Sequence, residues 1–153
     1  KKTGIGLTIV LLVAQFFGPE KNNAQINSVD IFIAETNPPE KVHQLLKNTC
    51  FDCHSNTTTY PWYNSITPIN YWLDSHVKDG KKHLNFSEWN TYSLKRKEHK
   101  MDELHEEVAE KEMPLNSYTW THSNANLSQQ EIDLVVSWAK ENQATYKAQL
   151  NSK

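Results

Sequence analysis

Two cysteines three positions apart, followed at once by a histidine, constrain this chain more than any other stretch: Cys50-Phe51-Asp52-Cys53-His54. On a helix that spacing sets both sulfurs roughly on one face, with the imidazole beside them. The chain has no other cysteine, so the motif uses every thiol. A thioredoxin-like redox pair would need a strand–helix–strand context, and no strand pattern surrounds these residues. A structural zinc site would need a second Cys/His pair at close spacing. The other histidines (His43, His76, His83, His99, His105, His122) are scattered, and the six-residue spacing of His99 and His105 does not share a helical face. A disulfide across so short a loop would stabilise little. The C-x-x-C-H order matches the attachment sequence of a c-type haem, with Cys50 and Cys53 as thioethers and His54 as proximal iron ligand.

An apolar prosthetic group suits the rest of the chain. At 153 residues with a formal charge of −2, it is sized for one domain plus extras, and nothing in its charge argues for nucleic acid. A haem would add a large apolar body to a core that is otherwise short of buried surface. Few glycines and few alternating β-branched runs point to an all-α chain; with the haem motif, the expected fold is a cytochrome c-like helical domain around a covalently attached haem.

Lys1 and Lys2 precede an uncharged stretch from Thr3 to Gly18 that is mostly apolar from Ile5 to Phe17. A positive start followed by an apolar run reads as an export segment or anchor. Ala14-Gln15-Phe16 fails as a small-x-small cleavage site, which favours retention, with the two lysines on the cytoplasmic side. Export agrees with the haem motif, because c-type haem is attached outside the cytoplasm in bacteria. The expected organisation is an anchor over residues 1–18, a linker over 19–36 and a haem-binding domain over 37–150. The setting is then the periplasmic side of the inner membrane, or the periplasm if the segment is removed.

Within the linker, Val29 to Ile33 alternates weakly and reads as extended. From Pro38-Pro39, a helix start, Val42, Leu45, Leu46, Thr49, Cys50 and Cys53 follow a helical rhythm, so the cysteines continue an apolar stripe. A second helix is expected from about Pro68 to Val77, closed by Asp79-Gly80. A short helix capped by Asn85 or Ser87 follows. Trp62, Tyr63, Tyr71, Trp72, Phe86 and Trp89 are expected to wall the haem pocket. Lys95 to Glu112 reads as a highly charged helix with a solvated face, in which Met101 occupies a surface or edge position. Leu115 to Asn126 reads as a loop. Ser128-Gln129-Gln130-Glu131 is a capping box that opens a long helix carrying Ile132, Val135, Val136, Ala139 and Tyr146 on one face.

A proximal histidine leaves one iron position open. Met113 has the best context for it, at the junction of the charged helix and a loop, before Pro114. Its thioether would raise the reduction potential relative to a second histidine. His122, His105 and His99 are the alternatives.

Together these pieces resemble the small bacterial haem-binding domain proteins that carry one C-x-x-C-H. The likeness runs from about Phe16 to Trp138. It rests on Gln15-Phe16-Phe17-Gly18-Pro19-Glu20-Lys21-Asn22, the haem motif with Ser55, Tyr60-Pro61-Trp62-Tyr63, Gly80 to Trp89, Glu112-Met113-Pro114, Tyr118, His122, Ala125, Leu127-Ser128 and Trp138. The resemblance implies one covalent haem c, His54 proximal and Met113 distal, behind an N-terminal anchor. That family usually has glycine before Glu-Met-Pro. This chain has Lys111, so its helix is expected to continue to Glu112.

The resulting expectation is a membrane-tethered monohaem cytochrome carrying single electrons to a redox protein or membrane complex. A haem-bearing subunit of a larger complex is the second reading. A peroxidase or gas sensor is the third, disfavoured because Arg96 is the only arginine in the chain and lies far from any distal segment.

Overall fold

The computed structural model describes residues 2–24 and 29–152. Its elements are helical: α1 (Lys2–Ala14), α2 (Asp30–Thr36), α3 (Glu40–Thr49), α4 (Phe51–His54), α5 (Ile69–His83), α6 (Leu94–Ala109), α7 (Asn116–Thr119) and α8 (Gln129–Asn151), joined by short 3-10 turns. Among the described residues the only β pairing is an isolated bridge between Asn23 and Thr57.

Helices α6 and α8 lie against each other and form the floor of the core. Leu94, Met101, Leu104 and Val108 line one stripe of α6. From α8, Ile132, Val135, Trp138, Ala139 and Tyr146 join the same cluster. Met101 is therefore not a surface or edge residue but wholly buried. Its spacing to Leu104 and Val108 (i, i+3, i+7) is the helical period, which charged neighbours on the other faces obscure. The starts of both helices are capped from side chains. The Ser93 hydroxyl accepts from the Arg96 N–H at 3.3 Å, and the expected Ser128–Glu131 capping box is complete. The Lys41 ammonium, followed by the Ser128 backbone and hydroxyl, pulls the Glu131 carboxyl down to about 2.

The linker expected over 19–36 gives way at both ends. Residues 30–36 form a helix, not an extended segment, because Phe32 is drawn into the centre of the core. Asn37, in the left-handed region at φ 41°, closes that helix, a conformation asparagine tolerates. Side-chain bonds then clamp α2 to the floor. Lys97 Nζ reaches Glu35 Oε2 at 2.7 Å, the Tyr146 hydroxyl donates to Glu35 Oε1 at 2.8 Å, and Trp138 Nε1 donates to the Thr36 carbonyl at 3.1 Å. Residues 15–24 are docked as well. Gln15 and Thr67 exchange two bonds of 3.0 Å. The Asn22 amide donates to the Ser55 carbonyl and the Thr58 hydroxyl, both at 2.9 Å. Positions 25–28 of the expected linker lie outside the described residues.

Helix α1 keeps its apolar side chains in solvent, Ile5, Leu7, Val10 and Leu12 among them. Thirteen residues span about 20 Å, short of the roughly 30 Å of a bilayer core. No helix among the described residues is long and apolar enough to cross a membrane.

At the end of α6 the helix stops at Ala109 rather than continuing to Glu112. Lys111 takes the left-handed conformation, φ 62°. The Glu112 N–H donates to the Glu107 carbonyl at 3.0 Å and the Lys111 N–H to the Val108 carbonyl at 3.2 Å, the paired bonds of a Schellman ending. A Cβ at positive φ is strained, and the two bonds hold it there. Lys111→Gly relieves that strain but loses some chain entropy on folding, for an expected net gain of about 0.5–1 kcal/mol. A rise in the urea midpoint with unchanged slope checks this; an unchanged or lower midpoint counts against it.

Candidate functional site

The attachment stretch begins where α3 ends. Val42, Leu45 and Leu46 bury one face of that helix. Its pattern carries on through a single irregular residue, Cys50, into the short helix α4. The Cys50 N–H still donates to the Leu46 carbonyl at 2.9 Å, and the His54 N–H to the Cys50 carbonyl at 3.0 Å. Phe51 faces the core, so Cys50, Cys53 and His54 are turned toward a cavity of about 480 Å³. The same cavity is lined by Trp72 and Val77 of α5, Phe86, Leu104 and Val108 of α6, and Met113, Tyr118 and His122 from the segment after α6. The four residues expected to hold a haem thus line one space. Its volume is that of a cofactor site, and its walls are largely apolar.

Burial pushes the Cys50 thiol up to about 11, against a smaller opposite pull from the Thr49 hydroxyl. Burial, then the Asp52 carboxylate and the neighbouring Cys50, push Cys53 up to about 12. Redox-active C-x-x-C pairs work through a depressed thiol pKa, and the shift here runs the other way. Among the described residues no group of three or more His, Cys, Asp or Glu side chains is arranged to hold a metal ion.

His54 is oriented by the backbone. Its Nδ1 lies 2.9 Å from the Leu84 carbonyl. A carbonyl only accepts, so Nδ1 carries the proton and Nε2 is left with its lone pair. Burial lowers the imidazole pKa, outweighing the upward pull of the Leu84 and Gly80 carbonyls. A neutral ring with one nitrogen tied to a carbonyl is the state a metal-binding histidine adopts.

Gly80 explains why α5 runs past its expected end. A Cβ built there would stand 2.6 Å from the Cys53 carbonyl oxygen and 3.1 Å from the Cys53 Cβ. Glycine serves here as the contact that lets α5 press on the attachment turn, and not as a helix stop. In an open helix interior alanine would gain about 1 kcal/mol over glycine. Here the added methyl meets backbone, so Gly80→Ala is expected to destabilise by about 1–3 kcal/mol. A variant as stable as the parent in urea unfolding would contradict that close approach.

Met113, which also lines the cavity, is half-buried and packs on the core. Its N–H donates to the Glu107 carbonyl at 3.1 Å, so the Schellman ending also sets where the methionine emerges. Of the alternative ligands, His122 lines the cavity. His99 and His105 do not; they pair with Glu103 and Asp102 at 3.1 Å. The expected aromatic walls divide. Tyr63, Trp72 and Phe86 line the cavity, Trp89 belongs to the core, and Trp62 is 80% exposed. Trp72 and Tyr71 also remain 47% exposed. The loop expected over 115–126 contains α7 and a 3-10 turn at Ser123–Ala125.

Sequence reasoning missed the Leu84 carbonyl, for which a sequence holds no signal. Asp52, an unspecified position of the C-x-x-C-H pattern, accepts from Tyr118 and Thr59 through its carboxylate. Comparison with known proteins gives one match. The model of a family described as a haem-binding domain matches residues 9–141. No curated protein and no solved structure matches the chain.

Proposed function

The chain belongs to the haem-binding domain family, and from that premise we propose that it is a monohaem c-type electron carrier, tethered at the periplasmic face of a bacterial inner membrane. The observation that carries the reading is the convergence of Cys50, Cys53, His54 and Met113 on one cavity. Bound haem supplies a one-electron iron couple.

The protein's own residues do the rest. Cys50 and Cys53 would hold the group as thioethers. His54 would offer Nε2 to the iron, and the Leu84 carbonyl keeps that nitrogen free of its proton. Met113, lining the same cavity, would offer its sulfur as the second ligand. A soft thioether favours the reduced metal, which raises the potential relative to two imidazoles. By both holding the bound group, His54 and Met113 would let its valence change with little rearrangement of the protein. Val77, Phe86, Leu104 and Val108 limit the water that reaches the site. Arg96, the only arginine in the chain, lies over the Tyr92 ring at 3.9 Å rather than along the cavity. That leaves no guanidinium to assist peroxide cleavage. The tether rests on α1, which is uncharged from Thr3 to its end and apolar in solvent. The same helix supports a second reading, in which the domain is the haem-bearing subunit of a membrane complex.

The test is optical, on protein matured in a host that attaches c-type haem. Both oxidation states should be low-spin, and carbon monoxide should leave the untreated ferrous protein unchanged. Rapid carbon monoxide binding would sink the six-coordinate carrier and favour gas binding or peroxidase chemistry.

A further inference from the structure

The segment that brings Met113 to the cavity, residues 113–122, is fastened to the attachment stretch through the Tyr118 side chain. The Tyr118 hydroxyl lies 2.9 Å from Asp52 Oδ2 and 3.4 Å from the Asn48 carbonyl. Asp52 stands between the two cysteines in the motif, and its other oxygen accepts from the Thr59 N–H at 2.9 Å. Tyr118 is half-buried, and burial followed by the Asp52 charge raises its pKa, so the hydroxyl keeps its proton and donates. His122 stacks on the Tyr118 ring at 4.0 Å with 10° between planes, which couples the far end of the segment to the same anchor. A further bond, between the Tyr63 and Thr121 hydroxyls at 2.8 Å, lies in solvent, where such bonds count for less.

The geometry points to Tyr118 as a positioning residue that, through Asp52, holds the Met113-bearing segment closed over the cavity. The inference rests on the reading of Met113 as the distal ligand. It assigns no contact with the iron to Tyr118. The bond sets how often the segment is docked, and hence how readily an outside ligand takes the place of Met113. An apparent affinity scales with the population of the competent state, here the undocked one.

Holoprotein carrying Tyr118→Phe, Asp52→Ala, Asp52→Asn or Met113→Ala provides the test. Measurements are the near-infrared Met–iron band of the ferric form, imidazole titration, and amide hydrogen exchange over 113–122. Losing a hydrogen bond to a charged acceptor corresponds to about tenfold in the docking equilibrium. Tyr118→Phe and Asp52→Ala are therefore expected to bind imidazole about tenfold more tightly and to exchange about tenfold faster over the segment. Asp52→Asn still offers Tyr118 a hydrogen-bond partner and should stay within about twofold of the parent. Tyr118→Phe with parental imidazole affinity and parental exchange overturns the latch. Met113→Ala tests the premise separately. If it keeps the band, or the parent has none, Met113 is not the ligand, and exchange in Tyr118→Phe alone then decides whether the latch exists.

Discussion

Phe32→Ala is expected to cost about 3–5 kcal/mol, most of the stability of a marginal domain. Phe32 has 0% exposure and sits where four parts of the chain meet. Its ring centroid lies 4.4 Å from Phe86, 5.1 Å from Trp89, 6.0 Å from Trp138 and 6.5 Å from Phe51. Phe51 is the residue after Cys50, and Phe86 also lines the cavity. Truncation therefore opens a void between α2, the attachment stretch, the 86–91 turn and α8. Three of the four rings meet Phe32 edge-on and Phe86 is tilted against it, so truncation removes all four aromatic contacts at once. Urea unfolding of the holoprotein checks the size of the loss. A cost below about 1 kcal/mol would mean that α2 is not part of the core. Phe32→Leu keeps most of the volume and should recover a good part of the loss.

That residue also shows where the sequence stops being informative. Phe32 lies in a weakly patterned stretch between a polar segment and two prolines. Nothing local separates a short strand from a seven-residue helix there, because the deciding contacts come from Trp89 and Trp138, far along the chain. The same holds for Gly80. Glycine near a helix end is usually a stop, and only the nearby Cys53 carbonyl makes it an interior requirement. Lys111 is the converse case, a side chain poorly suited to a left-handed turn that tertiary structure imposes all the same. Local chemistry sufficed where the determinants are local. Ser128 and Glu131 close on each other within one turn, and Asn85 caps the segment after it, accepting from the Ser87 N–H at 3.1 Å. The stripe from Val42 through the cysteines is a short-range pattern too, which is why the direction of the attachment face was legible. The His54–Leu84 and Asp52–Tyr118 bonds join residues 30 and 66 positions apart, and no motif spacing encodes them.

Removing both thiols should separate covalent attachment from cavity binding. In Cys50→Ala/Cys53→Ala, His54, Met113 and the apolar walls remain, so the folded chain is expected to take up haem but to release it on unfolding. Parent protein should carry haem stain through a denaturing gel, and the double variant should carry none. The two should also differ in how they melt. A group bound only to the native state stabilises by mass action, about 1.4 kcal/mol for each tenfold rise of free ligand above Kd. The double variant's Tm should then climb with added haem. The parent's should not, because its haem is never free and its effective concentration is fixed by the bonds. Each single variant should keep its stain through the remaining thioether. Cys50 packs at the edge of the core and both cysteines are partly exposed, so loss of a sulfur costs the haem-free chain little, roughly 1 kcal/mol per site. A failure to fold is not expected to mask the result. A double variant that still held haem through denaturation would rule out Cys50 and Cys53 as the points of attachment.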